Sequence, residues 1–108
     1  VSVLDNLPVI VFLMNNYMLG MVAQWQRTFY NRRYMGVHQN KCPDYTKIAE
    51  AYGAQGIKVQ SSQELENAIK SALKADVATV IDIPIDPEED VYPFVAPGTG
   101  LKDMITGA

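Results

Sequence analysis

The sequence predicts an α/β fold: a partial doubly wound parallel sheet followed by an extended C-terminal tail. Three observations lead there. Apolar runs of strand length alternate with segments of helical periodicity. The first run, Leu7 to Met14, is apolar at both alternating sets of positions, the pattern of a central parallel strand buried on both faces. Only three strands are present, so the sheet is narrow, has open edges and reads as half of a domain.

Each element follows from local chemistry. Pro8 suits the start of the first strand, where no ladder donor is needed. From Leu19 the pattern turns helical. Leu19, Val22, Gln26 and Phe29 share one face, and Met21, Trp25 and Thr28 form the adjacent stripe. This helix should fade between Tyr30 and Arg33. Tyr34 to Cys42 has no periodicity and reads as a loop. Pro43-Asp44 opens a second helix, with Asp44 able to accept from its free amides. Tyr45, Ile48, Ala49 and Tyr52 line one face, and Gly53 is a natural stop. Gly56 to Gln60 is a short strand. Ser61-Ser62-Gln63-Glu64 has the form of a capping box, followed by Leu65, Ala68, Ile69, Ala72 and Leu73 on one face. Val77 to Ile85 is the last strand, ended by Pro84 and Asp86-Pro87. The chain thus divides into an α/β unit, 1–87, and a Pro- and Gly-rich tail, 88–108.

Composition excludes several function classes. A length of 108 residues suits one domain, and 48% hydrophobic residues is too many for a disordered chain. A net charge of −3 leaves no dominant basic field, so nucleic acid is not an expected partner. The basic stretch from Arg27 to Arg33 reads as a solvated helix end. Asp86, Glu88, Glu89 and Asp90 lack EF-hand spacing and read as a solvated loop. Glu64 and Glu66 belong to a helix start. Cys42 is alone, so it forms no internal disulfide and reads as structural; His38, four residues away, offers no third group for thiol catalysis. No apolar run reaches the length of a membrane span, so no membrane partner is expected. An acidic chain with no recognisable targeting segment points to the cytoplasm. The chain opens on Val1, close to an apolar strand, so a fragment or processed product is one expectation.

The chemistry concentrates after the first strand, in LPVIVFLMNNYMLGMVAQWQ. Ligands of open α/β sheets bind beyond the carboxyl ends of the strands, where Asn15 and Asn16 fall. A helix N-terminus follows, with free amides suited to phosphate. Gly20 lets backbone approach a ligand closely. An asparagine oxygen is a hard neutral donor suited to Mg²⁺ or Ca²⁺. The stretch therefore reads either as half of a Mg²⁺-diphosphate site or as a simple turn, since asparagine also caps helices and tolerates left-handed backbone.

These residues also carry a resemblance. Asn15-Asn16 resembles the closing Asn-Asn of the thiamine-diphosphate motif. NNYMLGMVAQWQ, FYNRRY, PDYTKIAEAYG and DPEEDVYPFVAPGTGLKDMI, in order, resemble the C-terminal part of the acetolactate synthase (acetohydroxyacid synthase) large subunit family. The resemblance implies half of a thiamine-diphosphate-binding domain in a larger transferase. That enzyme condenses pyruvate with a second 2-keto acid, pyruvate or 2-ketobutyrate, in branched-chain amino-acid biosynthesis. It implies thiamine diphosphate and Mg²⁺ as cofactors, with FAD bound mainly outside this chain. By position, Asn16 would give its side-chain oxygen, and Met18 its backbone carbonyl, to Mg²⁺. Gly20 and Met21 would lie against the diphosphate. Met21 and Trp25 would line the pocket of the second keto acid. The tail from Val91 to Leu101 would fold back toward the active-site region.

The departures matter too. The Gly-Asp-Gly half of the motif, with its aspartate ligand, is absent, and so is the activating glutamate of the family's N-terminal domain. The resemblance therefore implies no catalytic residue within this chain, and an isolated chain that is inactive. Expected partners are 2-keto acids, the N-terminal and middle domains of the same enzyme, further copies in a homo-oligomer and a regulatory subunit. Two other readings stay open: another thiamine-diphosphate carboligase, and a non-catalytic interaction module derived from this fold, whose exposed sheet would be adhesive.

Overall fold

A computed structural model describes residues 1–39 and 41–107. Asn40, inside the predicted loop, and Ala108, at the end of the predicted tail, lie outside the described residues. Six principal elements follow in chain order: β1 (Ile10–Asn15), α1 (Gly20–Phe29), α2 (Tyr45–Ala51), β2 (Gln55–Lys58), α3 (Ser62–Ala72) and β3 (Thr79–Pro84). The sheet is wholly parallel, in the order β1-β3-β2. Phe12 stands level with Ile81 and Ile57, and Leu13 with Asp82 and Lys58.

β3 is therefore the central strand, and β1 is an edge. This corrects the expectation from the apolar run at Leu7 to Met14. Val11, Phe12 and Met14 are each about half exposed, and Leu7 to Val9 stand outside the strand. Unbroken hydrophobicity marks a strand that can be covered on both faces; it does not say that these 108 residues do the covering. The other strands are shorter than predicted: β2 ends at Lys58 and β3 runs only from Thr79 to Pro84, although the Val59 and Ile85 amides still donate to the Asp82 and Asn15 carbonyls.

Successive crossovers use opposite faces of the sheet. Between β2 and β3, α3 packs Ala68 and Ala72 against Val59 and Ile81, with Leu65, Ile69, Ile57 and Ile83 around them. Between β1 and β2, α2 lies on the other face, buried at Ala49. Its approach depends on Gly56, where a Cβ would fall 2.4 Å from the Thr46 carbonyl oxygen. Both helices start as their sequences predict. The Asp44 carboxylate accepts from the Thr46 and Lys47 amides, and Gly53 turns the chain at φ +81. Ser61 Oγ accepts from the Glu64 amide, while Glu64 Oε2 accepts from the Gln60 amide, one residue before the expected partner.

α1 departs most from expectation. Its buried residues are Ala23 and Gln24, and the two apolar stripes through Val22, Phe29, Met21 and Trp25 stay 41–59% exposed. The helix is held by the tail and the 30s loop through polar contacts, so its apolar side is left open. The Cα radius of gyration, 17.5 Å, exceeds the roughly 13 Å of a closed domain of this length. The tail is not simply extended either. Phe94 and Ile105 exchange both backbone hydrogen bonds, closing a loop that contains a short 3-10 turn at Leu101–Asp103.

Candidate functional site

Asn15 and Asn16 build two successive turns at the carboxyl end of β1. Asn15 Oδ1 accepts from the Tyr17 amide at 3.1 Å, and Asn16 Oδ1 accepts from the Met18 amide at 3.1 Å. Tyr17 is held at φ +54, a left-handed conformation that a bulky residue rarely adopts. Its carbonyl accepts from the Gln39 amide, and the Leu19 amide donates to the Val37 carbonyl. Met18 and His38 are thus a non-hydrogen-bonded bridge pair between two such bonds. The Met18 carbonyl accepts no hydrogen bond among the described residues.

α1 begins at once. Leu19 provides no side-chain cap, and the first turn contains no acidic residue. The amides of Gly20, Met21 and Val22 donate to no acceptor among the described residues. They form a positive helix end that favours an anion. A Cβ on Gly20 would lie 2.7 Å from Asn16 Nδ2, so glycine is what lets the turn fold onto the helix start.

The structure brings Asn16, Met18, Gly20 and Met21 together at this corner. Their donor set fits part of a Mg²⁺-diphosphate site. Asn16 Oδ1 keeps one lone pair, the Met18 carbonyl keeps both, and the amides suit phosphate oxygens. Among the described residues no group of three or more His, Cys, Asp or Glu converges that could complete a metal shell. Trp25 lies one turn beyond Met21, on the same side of the helix. It meets Phe29 edge-on at 6.4 Å, and Phe29 meets Phe94 of the tail at 6.3 Å.

Four features escape sequence reading. Asp82, 2% exposed on the central strand, accepts from Asn15 Nδ2 at 3.0 Å. Gln24, also 2% exposed, bonds both backbone groups of Val91, donating at 2.9 Å and accepting at 3.2 Å. Gln26 does the same to Met35 in the loop. Arg27 pairs with Asp90 and donates to the Tyr34 hydroxyl. The Asp90 hydrogen bond raises the Arg27 pKa above its ordinary value, against the opposing effect of burial. These facts correct the solvated readings of Arg27 and Asp90, both of which are largely buried; Arg32 and Glu88 do form an exposed pair. Spacing gave no signal for Asp82, Gln24 or Arg27, because their partners lie 63 and 67 residues away, and the Gln26–Met35 contact, nine residues apart, falls in a stretch with no periodicity.

Cys42 has the structural setting expected of it. Its Sγ contacts Gln39 Oε1 at 3.1 Å and the Tyr45 hydroxyl at 3.2 Å, and the bond to Cys42 raises the Tyr45 pKa. One cleft touches the Asn16–Met18 corner, and a second lies apart from it on the sheet face beside α2. The first, of about 230 Å³, lies between the Asn16–Met18 turn, Arg27, Tyr34, His38 and Glu88. The other, of about 650 Å³, is walled by Val11, Leu13, Val80, Ile48 and Tyr52. It is the uncovered sheet face beside α2 and has few polar groups to orient a substrate. No helix of the described residues is long and apolar enough to cross a membrane.

Comparison with known proteins shows the family. Residues 2–83 match the model of the thiamine pyrophosphate enzyme, C-terminal TPP binding domain. The acetolactate synthase large subunit of Haemophilus influenzae is 39% identical over 100 residues, covering 92% of this chain and 18% of the relative. The mitochondrial acetolactate synthase catalytic subunit of Saccharomyces cerevisiae is 38% identical over 98 residues, covering 91% and 14%. Among solved structures, benzoylformate decarboxylase from Polynucleobacter necessarius superposes with a TM-score of 0.74 at 26% identity, over 83% of this chain and 17% of that one. The thiamine diphosphate-dependent 4-hydroxybenzoylformate decarboxylase of Rhodococcus jostii gives 0.72, also at 26%, over 79% and 16%. The chain spans less than a fifth of the length of each of these relatives. By the match of residues 2–83, the chain belongs to the thiamine pyrophosphate enzymes, through their C-terminal TPP-binding domain.

Proposed function

We propose that the chain works as the C-terminal, diphosphate-holding part of an acetolactate synthase large subunit. The observation that carries this reading is the corner at Asn16–Met21. It offers two neutral oxygens and a run of free helix amides in one place, in a chain 36–39% identical to such subunits. Asn16 Oδ1 and the Met18 carbonyl would hold Mg²⁺, and the Gly20 and Met21 amides would hold the diphosphate. Bound thiamine diphosphate supplies the chemistry that turns the carbonyl carbon of pyruvate into a nucleophile toward a second 2-keto acid. This chain's residues bind and orient. On this reading the proton-moving group comes from elsewhere in the enzyme, and the isolated chain is expected to be inactive.

The exposed side of α1 through Met21 and Trp25 suits an apolar wall for the second keto acid. Further protein would complete it: the remaining domains of the enzyme, which also hold FAD, and further copies in a cytoplasmic homo-oligomer, with or without a regulatory subunit. The likeness to two decarboxylases favours one second reading, a thiamine-diphosphate enzyme that releases an aldehyde instead of joining two keto acids.

Product analysis of the full-length enzyme separates the two. Incubation with pyruvate, thiamine diphosphate and Mg²⁺ should yield acetolactate, and Asn16→Ala should raise the Mg²⁺ concentration needed. Aldehyde alone would favour the second reading. Turnover without Mg²⁺ and thiamine diphosphate would end both.

A further inference from the structure

We infer that Asp82 is a positioning residue for the cofactor corner, acting through Asn15. The inference rests on the reading of Asn16 and Met18 as metal-holding groups. A carboxylate in the middle of a sheet is costly to bury. Among the described residues no ion pair reaches Asp82, although Lys58 stands level with it on β2. It does not serve hydrophobic packing, and its side chain has one specific partner, Asn15 Nδ2 at 3.0 Å.

That bond fixes which way the Asn15 amide faces. A carboxylate accepts, so it takes the NH₂ end. The oxygen end is then directed to the Tyr17 amide at 3.1 Å. Tyr17 at φ +54 is a conformation that its surroundings must enforce. Asn15 Oδ1 holds its amide, and Gln39 holds its carbonyl. With Tyr17 so placed, the Met18 amide reaches Asn16 Oδ1, and the Met18 carbonyl is left open. A relay of short bonds therefore runs from the central strand to both proposed metal-holding oxygens. Asn15 at 7% and Asp82 at 2% exposure are buried, so water does not readily take over either role.

The charge strengthens the link, and the acceptor geometry makes it. Asp82→Asn can still offer an oxygen to Asn15. Asp82→Leu cannot, and it lets the Asn15 amide rotate.

The test uses the full-length enzyme. In Asp82→Leu, half-saturating Mg²⁺ and thiamine diphosphate should rise on the order of tenfold, as when outer-shell partners of metal sites are lost. The KM for pyruvate at saturating cofactor should stay within about twofold. Hydrogen exchange should quicken in the peptide spanning residues 15–20 and stay unchanged in β2 and α3. Asp82→Asn should recover most of both effects. Asn15→Ala should reproduce Asp82→Leu, and the double variant should be no worse than either single one. A lower melting temperature with unchanged cofactor constants would overturn the inference, as would faster exchange spread evenly over the sheet. Failure of the functional reading looks different: a wild-type enzyme indifferent to Mg²⁺ and thiamine diphosphate. In that case exchange at residues 15–20 alone decides whether Asp82 holds the turn.

Discussion

Arg27 holds Asp90 through two nitrogens, and both side chains are about nine-tenths removed from solvent. The pair joins α1 to the tail. Removing one partner leaves a buried charge unmatched. Asp90→Ala should therefore weaken docking of the tail by about 2 kcal/mol, the scale of a lost charged hydrogen bond. Limited proteolysis is the direct measure. Cleavage after residue 88 should accelerate in the variant, and the rate for Arg27→Ala/Asp90→Ala should be slower than the two single effects combined.

Gln24 anchors the same tail by a different chemistry. Its amide satisfies both the N–H and the C=O of Val91. Gln24→Leu should leave two backbone groups without partners, at a cost of about 1–3 kcal/mol. Gln24→Glu keeps one acceptor and loses the donor, so its effect should be intermediate. Exchange protection of the Val91 amide reports on this, with the sheet amides as an internal control.

Gly56 and Gly36 offer a contrast between space and conformation. A Cβ on Gly56 meets the α2 backbone at 2.4 Å, whereas one on Gly36 has nothing within 4 Å, although its φ is +67. Gly56→Ala should force α2 away from the sheet and cost about 1–3 kcal/mol. Gly36→Ala should cost only the left-handed backbone penalty, about 1 kcal/mol. Urea midpoints of the two variants test the order.

Asp44 should shape the acid limb of stability. The Thr46 hydroxyl, then the Lys47 and Thr46 amides, lower its pKa below the ordinary carboxylate value. A depressed folded pKa gives stability that is present above the unfolded pKa and lost as pH falls through the folded one. Asp44→Asn retains an acceptor without the charge. Its melting temperature should therefore fall less steeply with acidification across that window than the wild-type value. Parallel pH profiles would show that Asp44 contributes nothing to the acid limb.

What was legible in the sequence is what local rules govern. The element order, the parallel sheet, the Asp44 and Ser61 caps and the Gly53 stop all follow from neighbours within a few residues. The Asn15-Asn16 corner was legible for the same reason. Its two turns and the bare helix start are built from adjacent residues. Asp82, Gln24 and the Arg27–Asp90 pair were not, since each is defined by a partner more than sixty residues off. α1 shows a second limit. Periodicity finds an apolar face, but cannot say whether this chain supplies the surface that covers it. Ala23 and Gln24 are buried while Trp25 is not.

The strand order carries a consequence for how the molecule comes to exist. Among the described residues β1 and β2 each pair only with β3, which is the last of the three strands in the chain. Until Thr79 to Pro84 has been synthesised, no two strands of this sheet can pair. Closing the sheet means bringing together segments across most of the sequence at once, which slows assembly. The Asn15–Asp82 bond belongs to that same closing event, so the corner takes shape in the step that completes the sheet. A chain cut short before residue 79 would lack both the strand that joins β1 to β2 and the carboxylate that holds Asn15.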